Sequence, residues 1–281
     1  MSTLASQVEQ PEPRLSRPDG PVITFENVEI AFDNPVLEGI SFELPRGETK
    51  ILLGVAGTGK TLILKLVLGL IKPDAGHITV LGEEVTKMRE EELFELRRNI
   101  GMVFQESALF DSMTVEGNVA YRLMEETGQL TYEIHARVLE ALRFVELEHT
   151  FNLFPSELSG GMRRRVAIAR AIITEPEILL YDSPTGGLDP VTSNTIIELV
   201  VKQRDVYQTS SLLVTHRLQD AFTMASHYFD REQNKMVPLP DGTTRDLHTK
   251  FLILRDGKII FEGTAAELLR CTDPYIREYL S

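Results

Sequence analysis

The residues with the clearest chemistry lie at positions 54–61, where a glycine-rich loop separates two apolar segments. Residues 50–53 read as a short strand, and residues 61–70 have the apolar content of a helix. Glycines at such a junction let backbone N–H groups turn inward around phosphate oxygens, and the helix N-terminus adds partial positive charge. We therefore predict a phosphate-binding loop, with an ordinary glycine-rich turn as the alternative. The predicted nucleotide contacts are Gly54, Ala56, Gly57, Thr58, Gly59, Lys60 and Thr61.

A magnesium ion is the expected companion of the bound phosphates. The Lys60 ammonium can reach the outer phosphates, while the Thr61 hydroxyl is an oxygen ligand for Mg²⁺. A second ligand is predicted at Asp182, a carboxylate that ends the apolar run 178–181. This strand-to-carboxylate arrangement is the Walker B pattern, in which the aspartate binds Mg²⁺ directly or through water.

Two more polar residues follow predicted strands. Gln105 comes after the apolar run 100–104, and His216 comes after residues 211–215. Open α/β sheets bind their ligands at the carboxyl ends of strands. We expect Gln105 at the Mg²⁺ or the attacking water and His216 near the γ-phosphate. The alternatives are a solvent-exposed loop glutamine and a structural histidine.

A second anion site is predicted about 100 residues after the first. Ser159 is a good helix N-cap, and Gly160 and Gly161 lie beside the start of a strongly helical run. The arginines at 163–165 are interpreted as a solvated helix face, because the overall charge does not favour contact with nucleic acid.

An aromatic side chain suited to a nucleotide base precedes the first loop. Phe32 ends a predicted strand, just before the turn at residues 33–35. Its ring can stack on adenine, and the alternative is a core phenylalanine.

Composition narrows the class of protein. The chain has 281 residues and a formal net charge of −13, which argues against binding to nucleic acid. Its single cysteine, Cys271, allows no internal disulfide and fits a reducing compartment. No apolar run reaches the roughly 18 residues of a membrane span, and no secretory signal is visible.

The predicted organisation is one α/β domain with additions. We expect a P-loop NTPase (RecA-like) core with an antiparallel β subdomain and an inserted α-helical subdomain at about residues 106–160, where helical spacing replaces strands. The domain spans residues 21–270. The remaining segments are a disordered tail at 1–20, a polar insertion at about 230–250 and a C-terminal extension at 271–281.

The order of these motifs resembles the nucleotide-binding subunit of an ATP-binding cassette (ABC) transporter. In that resemblance Phe32 is the A-loop aromatic, residues 158–162 are the signature and residues 187–189, ending at Asp189, are the D-loop. The resemblance implies ATP and Mg²⁺ as cofactors and a head-to-tail homodimer, in which each ATP lies between one P-loop and the partner's signature. It also implies an integral membrane permease that holds the chain peripherally at the cytoplasmic face of the inner membrane.

Finer details resemble the Mla/Mce-type lipid transport ATPases. These details are Met162 within the signature, the stretch at 104–115 and the ending at 273–280. The resemblance implies phospholipid or another hydrophobic cargo and an MCE-type lipid-binding partner.

One position departs from the family pattern. The family places a glutamate after the Walker B aspartate to polarise the attacking water, whereas this chain has Ser183. A serine is a poor general base near neutral pH. One hypothesis is therefore a slowly hydrolysing, ATP-gated clamp. The other is that a different group, His216 or Glu106, takes over.

Overall fold

The computed structural model describes residues 20–240 and 248–281, which form twelve strands and nine α-helices. The strands are β1 (Ile23–Ala31), β2 (Pro35–Leu44), β3 (Thr49–Leu53), β4 (Ala75–Val80), β5 (Glu83–Glu84), β6 (Ile100–Val103), β7 (Ile178–Asp182), β8 (Ser210–Thr215), β9 (His227–Asp230), β10 (Lys235–Pro238), β11 (Thr249–Arg255) and β12 (Lys258–Gly263). The helices are α1 (Lys60–Val67), α2 (Glu90–Arg97), α3 (Val115–Thr127), α4 (Tyr132–Phe144), α5 (Gly160–Ile172), α6 (Pro190–Tyr207), α7 (Leu218–Ser226), α8 (Ala265–Arg270) and α9 (Pro274–Leu280). The predicted tail lies outside the described residues, apart from Gly20.

The central sheet has the strand order β12-β11-β3-β8-β7-β6, and β12 is its antiparallel edge strand. Every residue of β3, β7 and β8 is buried, as expected for parallel strands covered on both faces. Successive side chains point to opposite layers. Leu53 packs on the side of α5 and α6, whereas Leu52 packs on the side of α1. The predicted α/β core is confirmed.

An antiparallel sheet of order β2-β1-β4-β5 covers the α1 side of the core. Phe25 of β1 stacks on Phe42 of β2 with ring centroids 4.7 Å apart. The inward-facing residues of these strands share one apolar cluster with α1, which fixes the position of that helix beneath the P-loop.

The inserted segment between β6 and α5 is helical, as predicted. Its helices α3 and α4 are capped by the preceding residues Thr114 and Thr131, whose side chains accept hydrogen bonds from backbone N–H groups of the first turns. Ile134, Val138 and Leu142 are buried along one face of α4, the spacing that predicted a helix.

The two remaining segments carry regular structure. Within the polar insertion, β9 and β10 pair as an antiparallel hairpin, while residues 241–247 lie outside the described residues. Within residues 271–281, α9 packs against the core through the buried side chain of Ile276. On the same helix, the Tyr279 hydroxyl accepts a hydrogen bond from Gly54 N, which brings the C-terminal helix close to the nucleotide loop.

Candidate nucleotide-binding site

The sheet topology brings the predicted site residues to one edge. Strands β3, β8, β7 and β6 are adjacent and parallel, so their carboxyl ends lie side by side. The P-loop follows β3, His216 follows β8, Asp182 ends β7, and Gln105 comes two residues after β6. Residues separated by more than 100 positions therefore meet where an open α/β sheet binds ligands.

The P-loop backbone is shaped by its glycines. Gly57 and Gly59 have φ values of 82° and 91°, in the left-handed region that favours glycine. A Cβ on Gly54 would lie 2.7 Å from the carbonyl oxygen of Leu254, so no side chain fits there. Helix α1 starts at Lys60 without a side-chain cap, which leaves N–H groups of its first turn to bind an anion.

Lys60 is buried within this loop. Its ammonium donates to the carbonyl oxygens of Gly54, at 2.9 Å, and Val55, at 2.6 Å. Burial lowers the pKa of Lys60, and the negative charge of Asp182 partly opposes that effect. The carbonyl oxygens that bind this ammonium are uncharged. A phosphate next to Lys60 would supply the negative charge that they lack.

The predicted magnesium ligands lie within hydrogen-bond distance of each other. The Thr61 hydroxyl donates to Asp182 Oδ1 at 3.1 Å. Burial raises the pKa of Asp182, while the hydrogen bond from Thr61 and the charge of Lys60 act in the opposite direction. A hydroxyl and a carboxylate beside a phosphate site fit Mg²⁺, which uses few protein oxygens together with substrate phosphates. When bound, the ion would neutralise phosphate charge and hold Asp182 ionised.

Ser183 occupies a constrained position at the end of β7. Its φ is +44°, its side chain is buried, and its N–H donates to Val214 O at 2.8 Å. A Cβ built on Gly186 would lie 3.5 Å from Gln105 Cγ and 3.6 Å from Ser183 Cβ. The glutamine side chain therefore borders the turn that starts at the position of the missing glutamate.

The side chains of Phe32 and His216 are both exposed to solvent. Phe32 is 65% exposed, so the interpretation as a core phenylalanine is wrong and the ring is free to stack on a base. Contacts of either residue with a nucleotide remain predictions.

The signature and the D-loop lie together on another surface. Ser159 caps α5 by accepting a hydrogen bond from Met162 N at 3.2 Å. A Cβ on Gly161 would lie 2.4 Å from Thr192 Cγ2 of α6. Asp189 caps α6 through Oδ1, and its hydrogen bonds with the residues of that first turn lower its pKa. The nearest side chain to a Cβ on Gly160 is Leu188, in the D-loop itself.

The interpretation of residues 163–165 as a solvated helix face is wrong for Arg164. Arg163 is exposed, but Arg164 is only 5% exposed. Its guanidinium donates to Phe104 O at 2.9 Å and to Gly186 O at 3.3 Å. Helical spacing could have predicted the burial of Arg164, because this residue shares a helix face with the buried residues Ile168 and Ala171.

Fold and site together define a P-loop cassette, and the helix N-terminus at Ser159 is where the sequence predicts a second anion site. Residues 37–186 match the family model described as ABC transporter. The chain therefore belongs to the ABC transporter family, whose cassettes bind ATP.

Relatives refine that assignment. The intermembrane phospholipid transport system ATP-binding protein MlaF of Escherichia coli (strain K12) is 34% identical over 245 residues, covering 87% of this chain and 82% of MlaF. TRIGALACTOSYLDIACYLGLYCEROL 3 of Arabidopsis thaliana is 36% identical and covers 87% of this chain and 68% of its own length. A probable ribonucleotide transport ATP-binding protein of Mycobacterium leprae is 36% identical, with 88% and 64% covered. The resemblance to Mla-type ATPases is confirmed.

Solved structures agree with the fold. A dimeric ATP-binding cassette in a post-hydrolysis state, bound to ADP and Pi, superimposes with a TM-score of 0.72 at 28% identity, covering 86% of this chain and 98% of that one. The protein cbiO1 of Clostridium perfringens, part of an ABC transporter complex, gives 0.74 at 25% identity, with 92% and 94% covered.

Proposed function

We propose that this chain is the Mg²⁺-dependent, ATP-hydrolysing subunit of an ABC transporter that moves phospholipid or another hydrophobic cargo. The observation that carries the proposal is the pairing of Thr61 with Asp182 beside Lys60, at the edge where Gln105 and His216 also lie. The names of the MlaF relatives, which describe phospholipid transport, support the cargo class.

The working unit is a head-to-tail homodimer. The signature residues Ser159, Gly160 and Gly161 form one surface with Asp189. In the proposed dimer this surface covers the ATP held by the partner's P-loop, so nucleotide joins the two copies. The dimeric state of a related cassette supports this arrangement.

A groove on the helical subdomain is the proposed binding site for the permease. It has a volume of about 400 Å³ and lies beside α3. The residues lining it are Met113, Thr114, Gly117, Tyr121, Met124 and Glu125. Phe110, near its rim in contact with Tyr121, is 41% exposed. We propose that a short helix of the permease binds here and places the chain at the cytoplasmic face of the inner membrane, with an MCE-type lipid-binding protein as a further component.

None of the helices in the described part of the chain combines the length and apolar character needed to cross a membrane.

The alternative function is an ATP-gated clamp that hydrolyses poorly. Ser183 favours it, because loss of a general base typically lowers a rate by about 10²–10⁴-fold. Two groups can replace the glutamate in the hydrolysing form, His216 and Glu106. Burial lowers the pKa of Arg164, and the negative charges of Glu106 and Asp182 both oppose that shift, so Glu106 belongs to the same electrostatic neighbourhood as the magnesium ligand.

The cargo is tested by reconstitution. The chain would be extracted from native membranes together with its bound permease and placed in vesicles that contain a fluorescent phospholipid. We expect ATP-dependent movement of the lipid, and none with Lys60→Ala. Movement of a labelled ribonucleotide instead, the cargo class in the name of the mycobacterial relative, would contradict a hydrophobic cargo.

A further inference from the structure

The loop from residue 183 to 189 connects the end of β7 to the start of α6, and arginines from two other elements hold its backbone. We call it the 183–189 loop. Arg164 lies on α5, and Arg217 is the residue that follows His216. Between them they bind three of the loop's carbonyl oxygens. The acceptors are those of Thr185, Gly186 and Leu188.

Arg217 binds the backbone of the loop from the side of β8. Its Nη1 donates to Thr185 O at 3.0 Å and to Leu188 O at 3.4 Å. The same nitrogen donates to the Ser193 hydroxyl at 2.8 Å, which joins the loop to the first turn of α6. His216 and the D-loop are therefore linked through a single side chain.

The guanidinium of Arg217 is itself fixed in place. Its Nε lies 3.4 Å from Asp220 Oδ2, and Asp220 is only 4% exposed. The Thr185 hydroxyl donates to the same carboxylate oxygen. An ion pair beneath a hydrogen-bonded arginine restricts its rotamers, so the contacts to the loop carbonyls are stiff.

Arg164 also binds the backbone of the 183–189 loop. It joins Gly186 O of the loop to Phe104 O, the carbonyl just before Gln105. Its Nε is buried and has no hydrogen-bond partner among the described residues, so the two carbonyl contacts hold this side chain. The backbone just before Gln105 is thereby joined to the 183–189 loop through one side chain.

We propose that Arg164 and Arg217 are positioning residues that tie Gln105 and His216 to the 183–189 loop, so that occupation of the γ-phosphate site is transmitted to the dimer surface. The proposal rests on the proposed function, in which Gln105 and His216 contact the nucleotide. The loop ends at Asp189, on the surface that carries the signature glycines. Such a linkage needs only nucleotide binding, and it therefore operates in a chain with Ser183.

The test separates ATP binding from ATP-driven dimerisation. The unmodified chain, Arg217→Gln and Arg164→Gln would be compared, with Arg163→Gln as the matched control because Arg163 is exposed on the same helix as Arg164. ATP affinity would be measured with a fluorescent ATP analogue at chain concentrations where it is monomeric. Dimerisation would be followed by light scattering against ATP concentration.

We expect ATP affinity within about twofold of the control and a dimerisation midpoint raised about tenfold or more, the scale of losing charged hydrogen bonds. Arg217→Lys should stay defective, because one ammonium cannot make the same set of contacts. The double variant should be no worse than the worse single variant, since both act on one loop.

Two results overturn the proposal. One is a dimerisation midpoint for Arg217→Gln equal to that of Arg163→Gln. Because the Arg217 side chain is 24% exposed, we expect Arg217→Gln to fold, and this comparison remains valid even if the buried substitution Arg164→Gln prevents folding. The other is a loss of ATP affinity as large as the shift in midpoint. If the unmodified chain fails to dimerise with ATP, the proposed dimer falls as well; if it dimerises and the variants match the control, only this inference falls.

Discussion

At the scale of single residues, the proposed site combines the predicted magnesium and phosphate ligands with a serine at the position where the family pattern has a glutamate. Lys60 is held by the carbonyl oxygens of the P-loop, and Thr61 and Asp182 are hydrogen-bonded to each other. The backbone at Ser183 is fixed by its N–H bond to Val214 O, and its φ is positive. This backbone contact does not depend on the side chain at position 183.

Asp182 gives a prediction about pH and stability. Its pKa is raised by burial, so the ionised carboxylate destabilises the folded, nucleotide-free chain at pH 7. Because the folded pKa lies above the unfolded one, stability rises as pH falls through the folded value. Asp182→Asn should therefore raise Tm at pH 7. That gain should shrink as the pH is lowered toward 4, in thermal melts of both chains.

The control for Asp182→Asn is Asp189→Asn. Hydrogen bonds in the first turn of α6 lower the pKa of Asp189, so ionisation stabilises the fold there. We expect Asp189→Asn to lower Tm at pH 7. Equal shifts of the same sign for both variants would contradict this assignment of the two carboxylates.

Tyr181 is a buried group without a hydrogen-bond partner. Its side chain is 0% exposed, and its hydroxyl has no partner among the described residues. A buried unsatisfied hydroxyl costs about 1–3 kcal/mol. Tyr181→Phe should therefore raise the free energy of unfolding by about 1 kcal/mol in urea titrations, and a loss of stability would show that the hydroxyl is satisfied.

At the scale of elements, the C-terminal helix supports the nucleotide loop. The Tyr279 hydroxyl accepts a hydrogen bond from Gly54 N at 3.2 Å, and burial raises the pKa of Tyr279. On the same helix, Tyr275 stacks on Tyr279 and lies beneath the Arg255 guanidinium, 4.0 Å from its ring centroid. Helix α9 is thus anchored to the end of β11 and to the start of the P-loop.

The contact predicts a small loss of nucleotide affinity in Tyr279→Phe. Removing one hydrogen bond of this kind should weaken ATP binding about two- to tenfold, measured by titration with a fluorescent ATP analogue. Tyr275→Phe keeps its ring contacts and serves as the control. If both variants bind ATP as tightly as the unmodified chain, α9 does not order the P-loop.

These elements show what local sequence patterns can and cannot predict. The P-loop, the β7 strand and the helix at Ser159 are recognisable because their glycine, apolar and cap residues are adjacent in sequence. The contacts of Arg164 and Tyr279 join residues 60 and 225 positions apart, respectively, so no local pattern reveals them. The sequence analysis predicts no β9–β10 hairpin, because each strand has only four residues and most of them are half-exposed, which hides the alternation of a strand.

At the scale of the whole molecule, the two anion sites and the groove on the helical subdomain face different partners. The sheet edge holds ATP, the signature surface meets the second cassette, and the groove meets the permease in the proposed complex. The α/β core and both subdomains follow from hydrophobic periodicity, whereas the groove depends on how α3 and the preceding loop fold together.

The groove predicts a separation of permease binding from ATP binding. A charge at its apolar floor, as in Met113→Glu, should abolish co-purification of the permease while leaving ATP affinity within about twofold, because burying an unpaired charge is strongly unfavourable. Leu269→Glu is the control, since Leu269 is 67% exposed on α8, away from the groove. Retention of the permease by Met113→Glu would place the permease elsewhere.

The most direct measurement is ATP turnover by the chain co-purified with its permease, with Lys60→Ala as the blank and Ser183→Glu as the comparison. We expect turnover above the blank in the unmodified chain and a faster rate, by up to about 10²-fold, in Ser183→Glu. Turnover at the level of the blank, restored only by Ser183→Glu, would contradict a hydrolysing subunit and establish the chain as an ATP-gated clamp.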